Sequence, residues 1–188
     1  MRDKPDWNAL YEMAAAQDGY FTTRQAATAG YSRPLLARHL NSSRILRIRR
    51  GIYRVVHYPP SDHEELVVIW LWSGHAGVFS HETALALHDL SDALPWKIHL
   101  TVPAAWKHRR LKTPKEVLLH YCDMETHDRG WIGSVPVTNP SRTLVDCVAD
   151  RVKPDLVQQA QDQALRRGLL AEELAIVRKY LSAFGGGE

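Results

Sequence analysis

Residues 32–55 read Ser-Arg-Pro-Leu-Leu-Ala-Arg-His-Leu-Asn-Ser-Ser-Arg-Ile-Leu-Arg-Ile-Arg-Arg-Gly-Ile-Tyr-Arg-Val, and this stretch decides the N-terminal fold. Ser32 suits a helix N-cap, and Pro34 falls in the first turn, where its missing N–H breaks no bond. Leu36 and Leu40 then share one helix face at i and i+4. From Arg44 the period changes from helical to alternating. Leu46 and Ile48 lie on one face, with Arg47 and Arg49 on the other. Arg50-Gly51 makes the turn, because glycine accepts positive φ at little cost, and Ile52 and Val55 return on the far side. The reading is a helix followed at once by a β-hairpin with arginines on its exposed face and tip.

Upstream, Asp6 can cap a helix whose apolar positions Trp7, Leu10, Tyr11 and Ala14 fall at helical spacing. Gly19 stops it, and Tyr20-Phe21 forms a short extended step. Thr22-Thr23 caps a second short helix over 24–29, broken by Gly30. Two helices across a glycine-containing turn, followed by a basic hairpin, make a winged helix-turn-helix. The charge agrees. The first 60 residues carry ten Lys/Arg against four Asp/Glu, while the rest of the chain carries fourteen against seventeen. Six arginines lie between Arg38 and Arg54 with no acid among them. A winged helix can serve protein contact alone, but this footprint favours a polyanion. The third helix is the expected major-groove element, presenting Ser32, Arg33, Ala37, Arg38 and Asn41; arginine suits guanine and asparagine adenine. Arg44, Arg47, Arg49, Arg50 and Arg54 on the wing are expected to hold phosphates or enter the minor groove. Thr22, Thr23 and Arg24, at the start of the second helix, are expected to meet a phosphate.

The stretch from Gly19 to Val55 resembles the N-terminal winged helix of AbiEi-type antitoxins of type IV toxin–antitoxin systems. The marks are Gly30-Tyr31-Ser32, entering the third helix, and Arg49-Arg50-Gly51-Ile52-Tyr53-Arg54 on the wing. More loosely, Ile98–Pro103 and Val137–Asp146 resemble the family's C-terminal domain. The resemblance implies a repressor of its own operon and an antitoxin to a nucleotidyltransferase-like toxin, without requiring direct toxin contact.

The remaining residues indicate an ordinary globular chain. With 188 residues, 45% hydrophobic, there is enough apolar side chain for a core, and a wholly disordered or collagen-like chain is excluded. Cys122 and Cys147 are too few for a disulfide framework. Met1 to Asp6 carries acids and leads into no apolar run, so no signal peptide is expected. The apolar run from Leu66 to Trp72 is far short of a membrane span. A soluble, cytoplasmic protein is the expectation.

Tyr58-Pro59-Pro60-Ser61 reads as a hinge between a winged-helix domain, 1–58, and a C-terminal mixed α/β domain, 59–188, giving an α+β protein overall. Ser61 is the expected cap of a helix that is apolar on all sides from Leu66 to Trp72. Ser80 caps a helix with Ala84, Leu85 and His88 inward. Val78-Phe79 is expected as a short extended piece, with strands over 97–102, 117–121 and 134–138, and helices from Asn139, from Lys153 and through 170–181, with a frayed glycine-rich end at 185–188.

No catalytic residue, cofactor or metal site is expected. The ten histidines are scattered along the chain. His120 and Cys122 could share a strand face, but no second Cys/His cluster has zinc spacing. No phosphate-binding loop, nucleophile elbow or His-Glu-x-x-His is present. Arg142 and Asp146 fit an i,i+4 ion pair. Asp123 and Glu125, with Lys112 and Lys115, lack the order of a nuclease site. Trp106 to Lys112 is a basic run in an otherwise acidic region. Lys107, Arg109 and Arg110 there form either a solvated connection or a second contact for nucleic acid or an acidic partner. The leading expectation is a DNA-binding antitoxin and autorepressor that binds double-stranded operator DNA. The alternatives are a winged-helix regulator with a ligand- or partner-sensing C-terminal domain, and a nuclease guided by a winged helix.

Overall fold

The computed structural model describes residues 4–170 and 172–184. Asp6 caps the first helix, α1 (Trp7–Ala15), its carboxylate accepting from Ala9 N at 3.1 Å. After Gly19 the chain extends into β1 (Tyr20–Thr22) and turns into α2 (Thr23–Thr28). Thr22 and Gln25 form a reciprocal capping box there. Ser32 stands at the N-cap of α3 (Arg33–Asn41), with Pro34 in its first turn. The hairpin is β2 (Ile45–Arg49) and β3 (Ile52–Val55), turning at Gly51 with φ +80°. The three strands pair in the order β1-β3-β2, antiparallel throughout. Helices on a small antiparallel sheet with a protruding hairpin complete the winged helix.

Its core gathers Leu10, Ala14, Phe21, Ala26, Tyr31, Leu36, Ile45 and Val55. Each large apolar side chain there contributes about 1.5–3 kcal/mol on burial. Ile45, paired with Val55, sets which hairpin face is inward. Sequence alternation placed Leu46 and Ile48 together on a face opposite the exposed arginines. They are instead 48% and 40% exposed, and Arg47 between them is exposed as well; along this strand only Ile45, opposite Val55, is buried. A bulge between Arg47 and Arg49 then sets Arg49 opposite Ile52. Tyr11 is also exposed rather than inward.

The compact unit does not stop at the proline pair. It takes in Met1–His75 and Gly133–Val135, so α4 (Glu64–Trp72) belongs with it, beyond the expected boundary at 58. Val67 to Leu71 are all buried, as an all-round apolar helix requires. Ser61 does not cap α4, whose N-cap is His63. The Ser61 hydroxyl donates instead to Asp18 at 2.6 Å, and Asp18 also accepts from the Ser134 hydroxyl at 2.7 Å.

The second unit, Ala76–Ile132 with Pro136–Glu188, is built on a sheet. Its strands are β4 (Val78–Phe79), β5 (Ile98–Val102), β6 (Val117–Tyr121), β7 (Arg129–Ile132) and β8 (Val135–Thr138). The order is β6-β5-β4-β8-β7, with β5 parallel to β6 and β4 antiparallel to β5 but parallel to β8. Strand β7 went unread in the sequence because Gly130 interrupts its β-forming run. The helices are α5 (His81–Leu87), α6 (Pro140–Ala149), α7 (Pro154–Arg166) and α8 (Ala175–Ser182). They share a core of Leu85, Leu144, Cys147, Val157, Ala160 and Val177. Asn139 caps α6 by accepting from Arg142 N at 2.8 Å. Helix α8 begins only at Ala175, and the expected fraying end at 185–188 lies outside the described residues.

Candidate nucleic-acid interface

Helix α3 exposes one polar, basic face. Ser32, Arg33, Ala37, Arg38 and Asn41 are all exposed, while Leu36 is 2% exposed on the opposite side. Ser32 makes no side-chain capping bond. His39, between the two faces, stacks on Trp7 with ring centroids 5.6 Å apart. Burial holds its pKa below the ordinary value, and the positive charges of Arg44 and Arg38 push it the same way. Arg44, Arg47 and Arg50 are exposed on and before the wing, and Arg49 is half-buried.

The wing tip is fastened to the start of α2. Thr23 N donates to Gly51 O at 2.9 Å, and the Thr23 hydroxyl reaches the same carbonyl at 3.4 Å. A groove of about 450 Å³ opens there, lined by Arg24, Thr28, Arg49, Arg50 and the end of α4. The expected phosphate site at Thr22 and Thr23 is largely engaged by the fold. Thr22 N donates to Gln25 Oε1 at 2.8 Å, Gln25 N donates back to Thr22 Oγ1 at 3.2 Å, and Thr23 N belongs to the wing. Exposed Arg24 is what that helix start offers an anion.

Arg54 also differs from expectation. Its side chain is 14% exposed, and one guanidinium nitrogen donates to Glu64 Oε1 at 2.7 Å and to the carbonyls of Tyr58 and Pro59. It also lies over the Tyr20 ring at 5.5 Å. These partners turn Arg54 inward, onto α4 and the chain after the wing, where a phosphate would have to displace them.

In the second unit, Lys107, Arg109 and Arg110 are exposed around a short 3-10 turn (Ala104–His108). The Arg109 guanidinium sits 4.7 Å from the Trp106 ring centroid, a cation–π contact that shapes the loop. Arg142 and Asp146 form the expected ion pair at 2.8 Å, and Arg142 also reaches Asp128 at 2.9 Å. Asp123 accepts from Ala104 N at 3.0 Å, a structural role. The histidines scattered in sequence are not all scattered in space. His81, His99 and His120 converge, each with a ring nitrogen within 4.8 Å of the others. Cys122 lies outside that group; its thiol is 3.2 Å from the Arg142 guanidinium. No linear motif reveals the convergence, because adjacent strands create it. Among the described residues, no helix is long and apolar enough to cross a membrane.

Residues 8–56, about a quarter of the chain, match the family described as "Transcriptional regulator, AbiEi antitoxin". The match spans the winged helix from α1 to the end of the wing. No curated protein matches the chain. Among solved structures, the chain is similar to the RV2827C protein from Mycobacterium tuberculosis, at 16% identity and a TM-score of 0.44, covering 98% of this chain and 79% of that one.

Proposed function

We propose, from the match of residues 8–56 to the AbiEi antitoxin family, that the protein is a DNA-binding transcriptional regulator that represses its own operon and counters a nucleotidyltransferase-like toxin. The observation that carries the DNA-binding part is the exposed face of Arg33, Arg38 and Asn41 on α3, flanked by Arg44, Arg47 and Arg50. A helix of that polarity enters the major groove, where arginine donates to guanine O6 and N7 and asparagine pairs with adenine. The wing arginines neutralise backbone phosphates on either side. Arg24, Arg49 and Arg50 around the wing-tip groove supply a further phosphate contact. The protein makes no covalent change in its ligand and acts in the cytoplasm. Its second unit, residues 76–132 with 136–188, carries the antitoxin activity, and Lys107, Arg109 and Arg110 form a second basic contact there. The antitoxin part rests on the family resemblance.

The test is a reporter driven by the promoter upstream of the gene, read with and without the full-length chain, beside co-expression with the neighbouring gene product. Repression that Arg38→Ala relieves, with growth rescued from that product, supports the reading. An unrepressed promoter refutes autorepression, and unrescued growth refutes the antitoxin role.

A further inference from the structure

The geometry points to a divalent transition-metal site in the second unit, held by His81, His99 and His120 beside Asp150 and taking a zinc-class cation. The three imidazoles come from three elements that the sheet order brings together. His99 lies on β5 and His120 on its parallel neighbour β6. His81 opens α5 directly after β4, the other neighbour of β5. His81 and His99 are each 5% exposed, and the His120 side chain is 14% exposed.

Proton counting argues for a cation. His99 Nδ1 and His120 Nε2 face each other at 3.0 Å. The outer nitrogens face carboxylates: His99 Nε2 lies 3.5 Å from Glu82 Oε2, and His120 Nδ1 lies 3.2 Å from Asp150 Oδ2. A neutral imidazole carries one N–H. If His99 Nδ1 donates to His120, then His99 Nε2 turns a lone pair toward Glu82. If His120 Nε2 donates instead, His120 Nδ1 turns a lone pair toward Asp150. Either way a lone pair opposes a carboxylate, and His99 Nε2 is buried without a hydrogen-bond partner. A metal ion removes the conflict. Both outer N–H groups then point at carboxylates, as in histidine–carboxylate support of a metal, and both inner lone pairs become ligands. Ligand nitrogens about 2.0–2.1 Å from a tetrahedral ion stand roughly 3.3 Å apart, near the observed gap.

Two further features fit. His81 adopts φ +52°, a left-handed conformation rare outside glycine that tends to persist at ligand sites. It sets the imidazole over His120, ring centroids 3.6 Å apart, while its Nδ1 meets the Ser80 hydroxyl at 2.9 Å and its Nε2 lies 3.5 Å from Asp150. Ser80 is in turn fixed by Thr101 at 2.7 Å. Burial lowers the pKa of all three imidazoles, that of His81 to about 3. Imidazole donors select zinc, cobalt or nickel over magnesium or calcium. Asp150, 46% exposed, leaves the site open to solvent.

The test uses the full-length chain, stripped with chelator and titrated with Zn²⁺, Co²⁺ and Mg²⁺. One equivalent of Zn²⁺ should bind, Co²⁺ should give the intense visible absorption of a four- or five-coordinate ion, and Mg²⁺ should not compete. The H120Q variant should weaken Zn²⁺ binding by more than about 100-fold. H108Q/H127Q, which alters two exposed histidines, should bind as before. Should H120Q fail to fold, the cobalt spectrum of the unsubstituted chain decides. No saturable binding, an octahedral cobalt spectrum, or binding lost with the surface pair would each overturn the site.

Discussion

Arg54 on the wing and Glu64 on α4 are joined at 2.7 Å in a largely buried ion pair that ties the hairpin to the helix following it. Three acceptors, two of them backbone carbonyls, hold this guanidinium inside the fold. Arg54→Ala should therefore lower stability by about 1–3 kcal/mol, because it leaves Glu64 half-buried without its cation. Arg47→Ala, at an exposed position, should leave stability within about 0.5 kcal/mol. Chemical denaturation of both variants checks this, and equal losses would contradict it.

Gly19 has φ +84°, and a Cβ there would lie 2.5 Å from the Tyr58 side chain. Tyr58 is itself fixed, its hydroxyl donating to Ala15 O at 3.0 Å. Gly19→Ala should cost at least about 2 kcal/mol, from backbone strain and overpacking together. A measured loss below about 0.5 kcal/mol would show that the Tyr58 ring yields easily.

His88 donates from Nε2 to Thr138 O at 2.7 Å, and burial holds its pKa below the ordinary value, with nearby Arg167 adding to the effect. The unfolded chain takes up the proton at about pH 6.5, before the folded chain does. Stability is therefore complete above that pH and falls as the pH drops below it. Denaturation midpoints at pH 7.5 and 5.0, with chelator present, should differ less in His88→Gln than in the unsubstituted chain. An unchanged difference would count against the assignment.

Base reading and backbone holding should separate. Arg33→Ala or Arg38→Ala should relax sequence preference, costing about 1–3 kcal/mol at one base pair if the contact is bidentate. Arg50→Ala should weaken operator and scrambled DNA alike. Titrations on both duplexes test this division, and equal losses for all three variants would refute it.

Much of the winged helix was legible because its signals are local. Asp6, Thr22 and Pro34 mark helix starts within a few residues, and Leu36 reports its own burial through spacing. Burial along β2 was not legible, since it depends on Ile45 facing Val55 across the hairpin. The role of Arg54 was hidden for the same reason: its partner Glu64 lies ten residues on, in another element. The histidine group was least legible of all. His81, His99 and His120 meet because β5 lies between β4 and β6, and no spacing along the chain records that order.

The most direct measurement is the salt dependence of duplex DNA binding by the full-length protein. If the exposed arginines hold phosphates, the logarithm of the binding constant should fall steeply and linearly with the logarithm of salt concentration, and Arg47→Ala should shallow that slope by about one unit. Binding that ignores salt, or a slope unchanged in Arg47→Ala and Arg50→Ala alike, would contradict the account.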